Sequence, residues 1–151
     1  VLDDFTLPAG VSVSQELDSR ATLWIDRNRI QGCVVNLLSN ACQSIVERAG
    51  DQDRRELHVA SRHREDRLEI QVTDTGPGMA PEVLDKIFEP MYSTRTYGVG
   101  LGLPIVLKNM ELHGGGVEII SEVGRGTAAT LWFPAPDRKE TQHEESPHTG
   151  S

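Results

Sequence analysis

Apolar positions along the chain change their period several times, and each change marks an element. Val11 and Val13 alternate with polar neighbours, and a second short apolar run follows at residues 22–25. Both read as strands, joined as a hairpin near residues 18–20. From Arg27 to Glu47 the apolar residues are Ile30, Cys33, Val34, Leu37, Leu38, Ala41 and Ile45, which is the spacing of one helix face, and Asp26 precedes them as a good N-cap. Residues 56–63 and 67–73 then alternate (Leu57, Val59; Leu68, Ile70, Val72) around a charged turn, as an antiparallel pair does. The run DTGPGM at 74–79 is a loop by its glycine and proline content, 81–87 a short helix, and 89–100 a long loop without periodicity. Helical spacing returns at 102–112, with Pro104 in the first turn, where a missing N–H is harmless, and Gly114 to Gly116 at the end. Strands at 117–121 and 127–133, joined by a glycine turn, complete the pattern. About three helices on one face of a mixed, mostly antiparallel sheet bury all these apolar faces, so the expected fold is α+β, a two-layer α/β sandwich.

Composition narrows this. The chain has 151 residues, 37% hydrophobic and 25% charged, which suits one domain able to fold without disulfides or metal. Residues 1–134 are expected to form that domain, and 135–151, almost without apolar side chains, a polar disordered tail or linker. The net charge of −8 argues against nucleic acid and anionic membranes as partners, but leaves open a small anionic ligand, which reads local fields. Cys33 and Cys42 stand on opposite sides of one helix and cannot pair there; two reduced, packed cysteines are expected. No Cys/His cluster has zinc-ligand spacing.

Candidate chemistry sits in five places. Asn36 and Asn40 lie four apart on the long helix and point the same way, with Gln43 and Glu47 extending that edge. Amide oxygens there suit a magnesium–phosphate unit, although two solvated asparagines would look the same. Asp74 follows an apolar strand; as an acceptor it fits the exocyclic amine of adenine and repels the carbonyl of guanine, while Gly76 and Gly78 let a ligand approach the backbone. Gly98, Gly100 and Gly102 open a helix, where backbone N–H groups can converge on phosphate. Thr94 and Arg95 lie in the long loop, a candidate lid with phosphate-binding groups. Thr127 follows the last glycine turn and can support an adenine pocket.

Each signal is weak alone, but the ordered set is not. NLLSNA (36–41), DTGPGM (74–79), IFEPMYST (87–94), GVGLGL (98–103) and GRGT (124–127) together resemble the catalytic ATP-binding domain of bacterial sensor histidine kinases, over residues 11–134. The resemblance implies the Bergerat-type fold shared with gyrase, heat-shock chaperone and mismatch-repair ATPases. It implies Asn40 as the Mg²⁺ ligand, Asn36 supporting the phosphates, and Asp74, Gly76, Gly78 and Thr127 shaping the adenine pocket. By the same resemblance Phe88 anchors the lid, Thr94 and Arg95 meet phosphate, and Gly98, Gly100, Leu101, Gly102 and Leu103 wrap the triphosphate. The implied cofactors are ATP and Mg²⁺, with Asn36 and Arg95 as the catalytic candidates.

Many relatives carry a glutamate, a general base, where this chain has Asn36. An amide takes no proton at neutral pH, which favours a kinase whose nucleophile is an imidazole over a hydrolase or an anti-sigma-type serine kinase. None of the five histidines sits in a helical acceptor motif; His143 starts a near-match one residue short, in the polar tail. The expected function is therefore donation of the γ-phosphoryl group to a histidine on a separate dimerisation hairpin, with a response regulator served indirectly in two-component signalling. A non-catalytic ATP-binding interaction module is the alternative. The expected location is the cytoplasm, with no membrane contact by this domain, and the isolated domain is expected to be a monomer that binds ATP or ADP.

Overall fold

In the computed structural model, which describes residues 2–18, 22–48, 55–64, 66–93 and 102–135, the longest element forms where its cap predicts. The Asp26 carboxylate accepts the N–H of Arg29 at 3.1 Å, and helix α1 runs Arg27–Glu47. Its apolar face (Ile30, Cys33, Val34, Leu37, Leu38, Ala41, Cys42, Ile45) is buried. Burial of each larger side chain contributes roughly 2 kcal/mol. A single turn at Leu2–Asp4 and strand β1, Ser12–Leu17, precede it; β2, Glu56–His63, and β3, Arg67–Asp74, follow. Then come α2, Pro81–Leu84, α3, Gly102–Leu112, β4, Gly116–Glu122, and β5, Gly126–Pro134.

The strands form one sheet in the order β1-β2-β3-β5-β4, with β1–β2 parallel and the other pairs antiparallel. One sheet face carries Leu57, Val59, Leu68, Val72, Ala129, Leu131 and Phe133 into a single core with α1 and α3. The opposite face is polar: Gln71 donates to Thr130 at 3.0 Å, and Arg67 bonds Glu69 and Glu118. The two-layer α+β sandwich expected from the pattern is the fold found. Cys33 and Cys42 are buried and free, and burial pushes both thiols up. Among the described residues no helix is long and apolar enough to cross a membrane.

Two expectations are corrected. Residues 22–25 do not form a strand, and β1 makes no hairpin with them: β1 pairs with β2 in parallel, Ser12 opposite Glu56 through Leu17 opposite Ser61. Parallel pairing needs a crossover, and α1 supplies it. The apolar residues of 22–25 serve otherwise, Leu23 against the core and Trp24 fully exposed. The short helix expected at 81–87 ends at Leu84, after which the chain continues in turns such as Lys86 N–H to the Val83 carbonyl and Glu89 N–H to the Lys86 carbonyl. At the far end of α3, Gly114 donates to the Glu111 carbonyl and Gly115 to that of Met110, a Schellman closure. The segment 136–151 lies outside the described residues.

Candidate functional site

A cleft of about 350 Å³ opens where α1, the start of α3 and the loop after β3 meet above β3 and β5, a volume within the range of small-ligand sites. Its floor is the helix-facing side of the sheet: Val72, Ile119 and Ala129, with Leu37 and Ala41 of α1 opposite. Its polar groups enter from the rim.

From α1 come Asn40, Gln43, Ser44 and Glu47, the helix edge expected from their spacing. Asn36 stands one turn earlier, half-buried, and its Oδ1 accepts the Asn40 Nδ2–H at 3.1 Å. Gly102 is placed against the Asn36 amide, where a Cβ would come within 2.8 Å of it. The start of α3 therefore lies directly on α1 at this point. Gly102, Leu103 and Pro104 line the cleft, so the first turn of α3, whose N–H groups lack helix partners, borders it.

Asp74 ends β3 and is 6% exposed. Its Oδ1 accepts the N–H of Gly76 at 2.8 Å, and the residue faces Thr127 of β5 in direct register. Its negative charge adds to burial in raising the Cys42 thiol. Thr127 in turn bonds Ser121 of β4, hydroxyl to hydroxyl, at 2.8 Å. Ser121 also accepts the N–H of Met79 at 2.8 Å and donates to the carbonyl of Gly126 at 3.1 Å, tying loop and turn together. Gly124 N–H to the Pro77 carbonyl, 2.8 Å, is a second tie. Gly78 lines the cleft at φ +71°, packed on the Glu122 carbonyl.

Of the residues singled out from sequence, Asn40, Asp74, Gly78, Gly102, Leu103 and Thr127 line this one cleft, with Asn36 and Gly76 directly behind it. Phe88 is half-buried just after α2, and its neighbour Ile87, not Phe88, reaches the cleft wall. Thr94, Arg95, Gly98, Gly100 and Leu101 lie outside the described residues. Three contributors were not legible. Ser44 sits against Gly76, Ser121 knits the loop to the last turn, and Arg48 donates to the carbonyls of Thr75, Gly76 and Gly124. For Ser44, its place four positions after Asn40 on the same helix edge was the available signal.

The family described as histidine kinase-, DNA gyrase B-, and HSP90-like ATPase matches residues 25–137. Sensor histidine kinase ZraS of Escherichia coli (strain K12) is 34% identical over 117 residues, 78% of this chain and 24% of ZraS. Sensor protein kinase FleS of Pseudomonas aeruginosa is 37% identical over 126 residues, 83% of this chain and 30% of FleS. Among solved structures, the nucleotide-free catalytic domain of histidine kinase ThkA superposes with a TM-score of 0.70 at 26% identity, covering 83% of this chain and 80% of that one. Full-length ShkA in complex with AMPPNP superposes with a TM-score of 0.69 at 27% identity, covering 83% of this chain and 26% of that one. The chain thus spans about a quarter of the length of the curated relatives it matches.

Proposed function

The chain belongs to the histidine kinase-, DNA gyrase B-, and HSP90-like ATPase family, as an ATP-binding domain of the histidine kinase kind, and from that premise we propose that its cleft takes Mg·ATP and presents the γ-phosphate to a histidine on a separate dimerisation hairpin. The observation that carries the reading is Asp74, a buried carboxylate at the end of β3, set in register with Thr127 above an apolar floor. A planar base fits an apolar floor, and a carboxylate has about four acceptor positions, so it can take an exocyclic amine besides the Gly76 N–H. Adenine offers that amine; guanine presents a carbonyl oxygen there and is repelled.

At the other end of the cleft, Asn40 would hold Mg²⁺ through its amide oxygen, and Asn36 fixes the Asn40 amide by accepting its N–H. A single amide oxygen would leave the rest of the shell to phosphate oxygens and water, which is the ligation Mg²⁺ ordinarily keeps. When bound, the ion would neutralise phosphate charge. The first turn of α3 offers N–H groups to the same phosphates. Thr94, Arg95, Gly98, Gly100 and Leu101 would close over them, with Phe88 anchoring that lid. Phosphoryl transfer runs through a loose transition state, so positioning and charge neutralisation are what such a site contributes. Asn36 offers no base to activate water or a serine hydroxyl, whereas a neutral imidazole needs none.

Residues 1–134 would make up the domain and 135–151 a linker or tail, working in the cytoplasm and serving a response regulator through the phosphorylated hairpin. AMPPNP in full-length ShkA supports a nucleotide in this cleft. Calorimetry of Mg·ADP against the parent and Asp74→Ala tests the base assignment: the variant should bind at least about tenfold more weakly. Labelled ATP with a cognate hairpin tests transfer. Label should appear on the hairpin's histidine and vanish with Asn40→Ala; undiminished ADP binding by Asp74→Ala, or no label on any hairpin, would sink the corresponding half.

A further inference from the structure

Arg48 caps the C-terminal end of α1, outside the cleft lining. Its guanidinium nevertheless reaches both segments that carry the base-reading groups. Nη1 donates to the carbonyl of Thr75 at 2.7 Å and to that of Gly76 at 3.2 Å, and Nη2 donates to the carbonyl of Gly124 at 3.3 Å. Thr75 and Gly76 directly follow Asp74, and the N–H of Gly76 is the donor on Asp74 Oδ1. Gly124 lies in the turn that leads to Gly126, which packs on the Asp74 carbonyl, and then to Thr127. One planar cation therefore joins the end of α1 to the loop behind Asp74 and to the turn before Thr127.

We propose that Arg48 is a positioning residue for base discrimination, holding Asp74 and Thr127 at the spacing that accepts adenine and rejects guanine. This rests on the reading of Asp74 as the purine-recognising carboxylate. The physical case is geometric. A guanidinium has five donors in a fixed fork, so it can serve three carbonyls at once with charge-assisted bonds. A lysine ammonium is a compact point charge on a flexible stem and cannot reproduce that fork. Base selectivity depends on where an acceptor sits to within a fraction of an ångström. Carbonyl oxygens released by loss of Arg48 would recruit water, and the loop would take positions in which Asp74 no longer opposes guanine.

The test compares Mg·ADP and Mg·GDP binding by calorimetry for the parent, Arg48→Met, Arg48→Lys and Asp74→Ala, with thermal unfolding as the check on folding. Arg48→Met should weaken ADP about tenfold and GDP by less than about threefold, so the preference for ADP shrinks. Arg48→Lys should lie between parent and Arg48→Met. Equal losses for the two nucleotides, or an unchanged preference in a folded variant, would overturn the proposal, since a general loss of fold weakens both alike. If Arg48→Met does not fold, Arg48→Lys carries the measurement, and a parental preference in it overturns the proposal. If Asp74→Ala abolishes the preference while the Arg48 variants keep it, only the role of Arg48 fails. If Asp74→Ala keeps the preference, the purine reading fails and this inference with it.

Discussion

Gly78 shows how little room the cleft loop has at the scale of one residue. Its φ of +71° is a region side chains rarely adopt, and a Cβ would run into the Glu122 carbonyl. Gly78→Ala therefore has to strain the backbone and part the loop from β4. The expected cost is about 1–3 kcal/mol, read as a lower urea midpoint, with weaker Mg·ADP binding in the same protein. An alanine variant with both properties at parental values would show that the loop has a relaxed alternative. At this scale the sequence was informative where a residue type has one chemical use. Asp74 after an apolar strand, and two asparagines four apart, pointed to their places because acceptor chemistry and helix period are local properties. Arg48 was not legible because its partners are backbone carbonyls, and no side-chain identity records which carbonyls a fold will bring together.

Elements were legible to the extent that their ends are written locally. α1 and α3 run over the residues expected, because Asp26 caps the first and the glycines from Gly114 stop the second. β1 was found as a strand but given the wrong neighbour. Alternation reports that a segment is extended and says nothing about which strand it joins across a helix. The polar face of the sheet carries a further consequence. Glu69 on β3 is 5% exposed and bonded to Arg64 at 3.0 Å and Arg67 at 2.7 Å. Arg67 extends the set to Glu118 on β4 at 2.7 Å and lies 5.9 Å from the centroid of the Trp132 ring on β5. Burial pushes the Glu69 carboxyl up, but Arg64 and Arg67 outweigh it and hold the group below its ordinary value of 4.5. A group depressed in the folded state stabilises the fold above its unfolded value and loses that contribution as pH falls. The urea midpoint should thus show no Glu69 dependence near pH 7 and fall as pH drops through 4.5 and below. Glu69→Gln should be less stable than the parent at pH 7 and converge on it as pH falls below the depressed folded-state value of the carboxyl. A constant difference between the two across that range would refute the assignment.

For the molecule as a whole, the order of elements was enough to imply two layers, since apolar faces of helix and strand have to cover one another. The strand order was not legible, because β3 pairs with β5 rather than with β4 and β1 with β2 across α1. The cleft shares the sign of the net charge of −8: its charged lining residues, among those described, are Glu47 and Asp74, so an anion there would depend on N–H groups and a bound cation. The position of β1 has a further consequence, one of time. Among the described residues β1 lies at the sheet edge, its side chains are exposed along its whole length, and its sole neighbour in the sheet is β2. The β2–β3 and β4–β5 hairpins close locally, whereas the β1–β2 and β3–β5 pairings each close a long loop, the dearer step in chain entropy. β1, with one neighbour and no buried side chain, should be the first strand to leave the sheet. The cleft stands on β3 and β5 and takes no lining residue from β1, so it stays intact when β1 leaves. Amide hydrogen exchange should find β1 the least protected strand, and Mg·ADP should slow exchange in β3 and β5 while leaving β1 as it was.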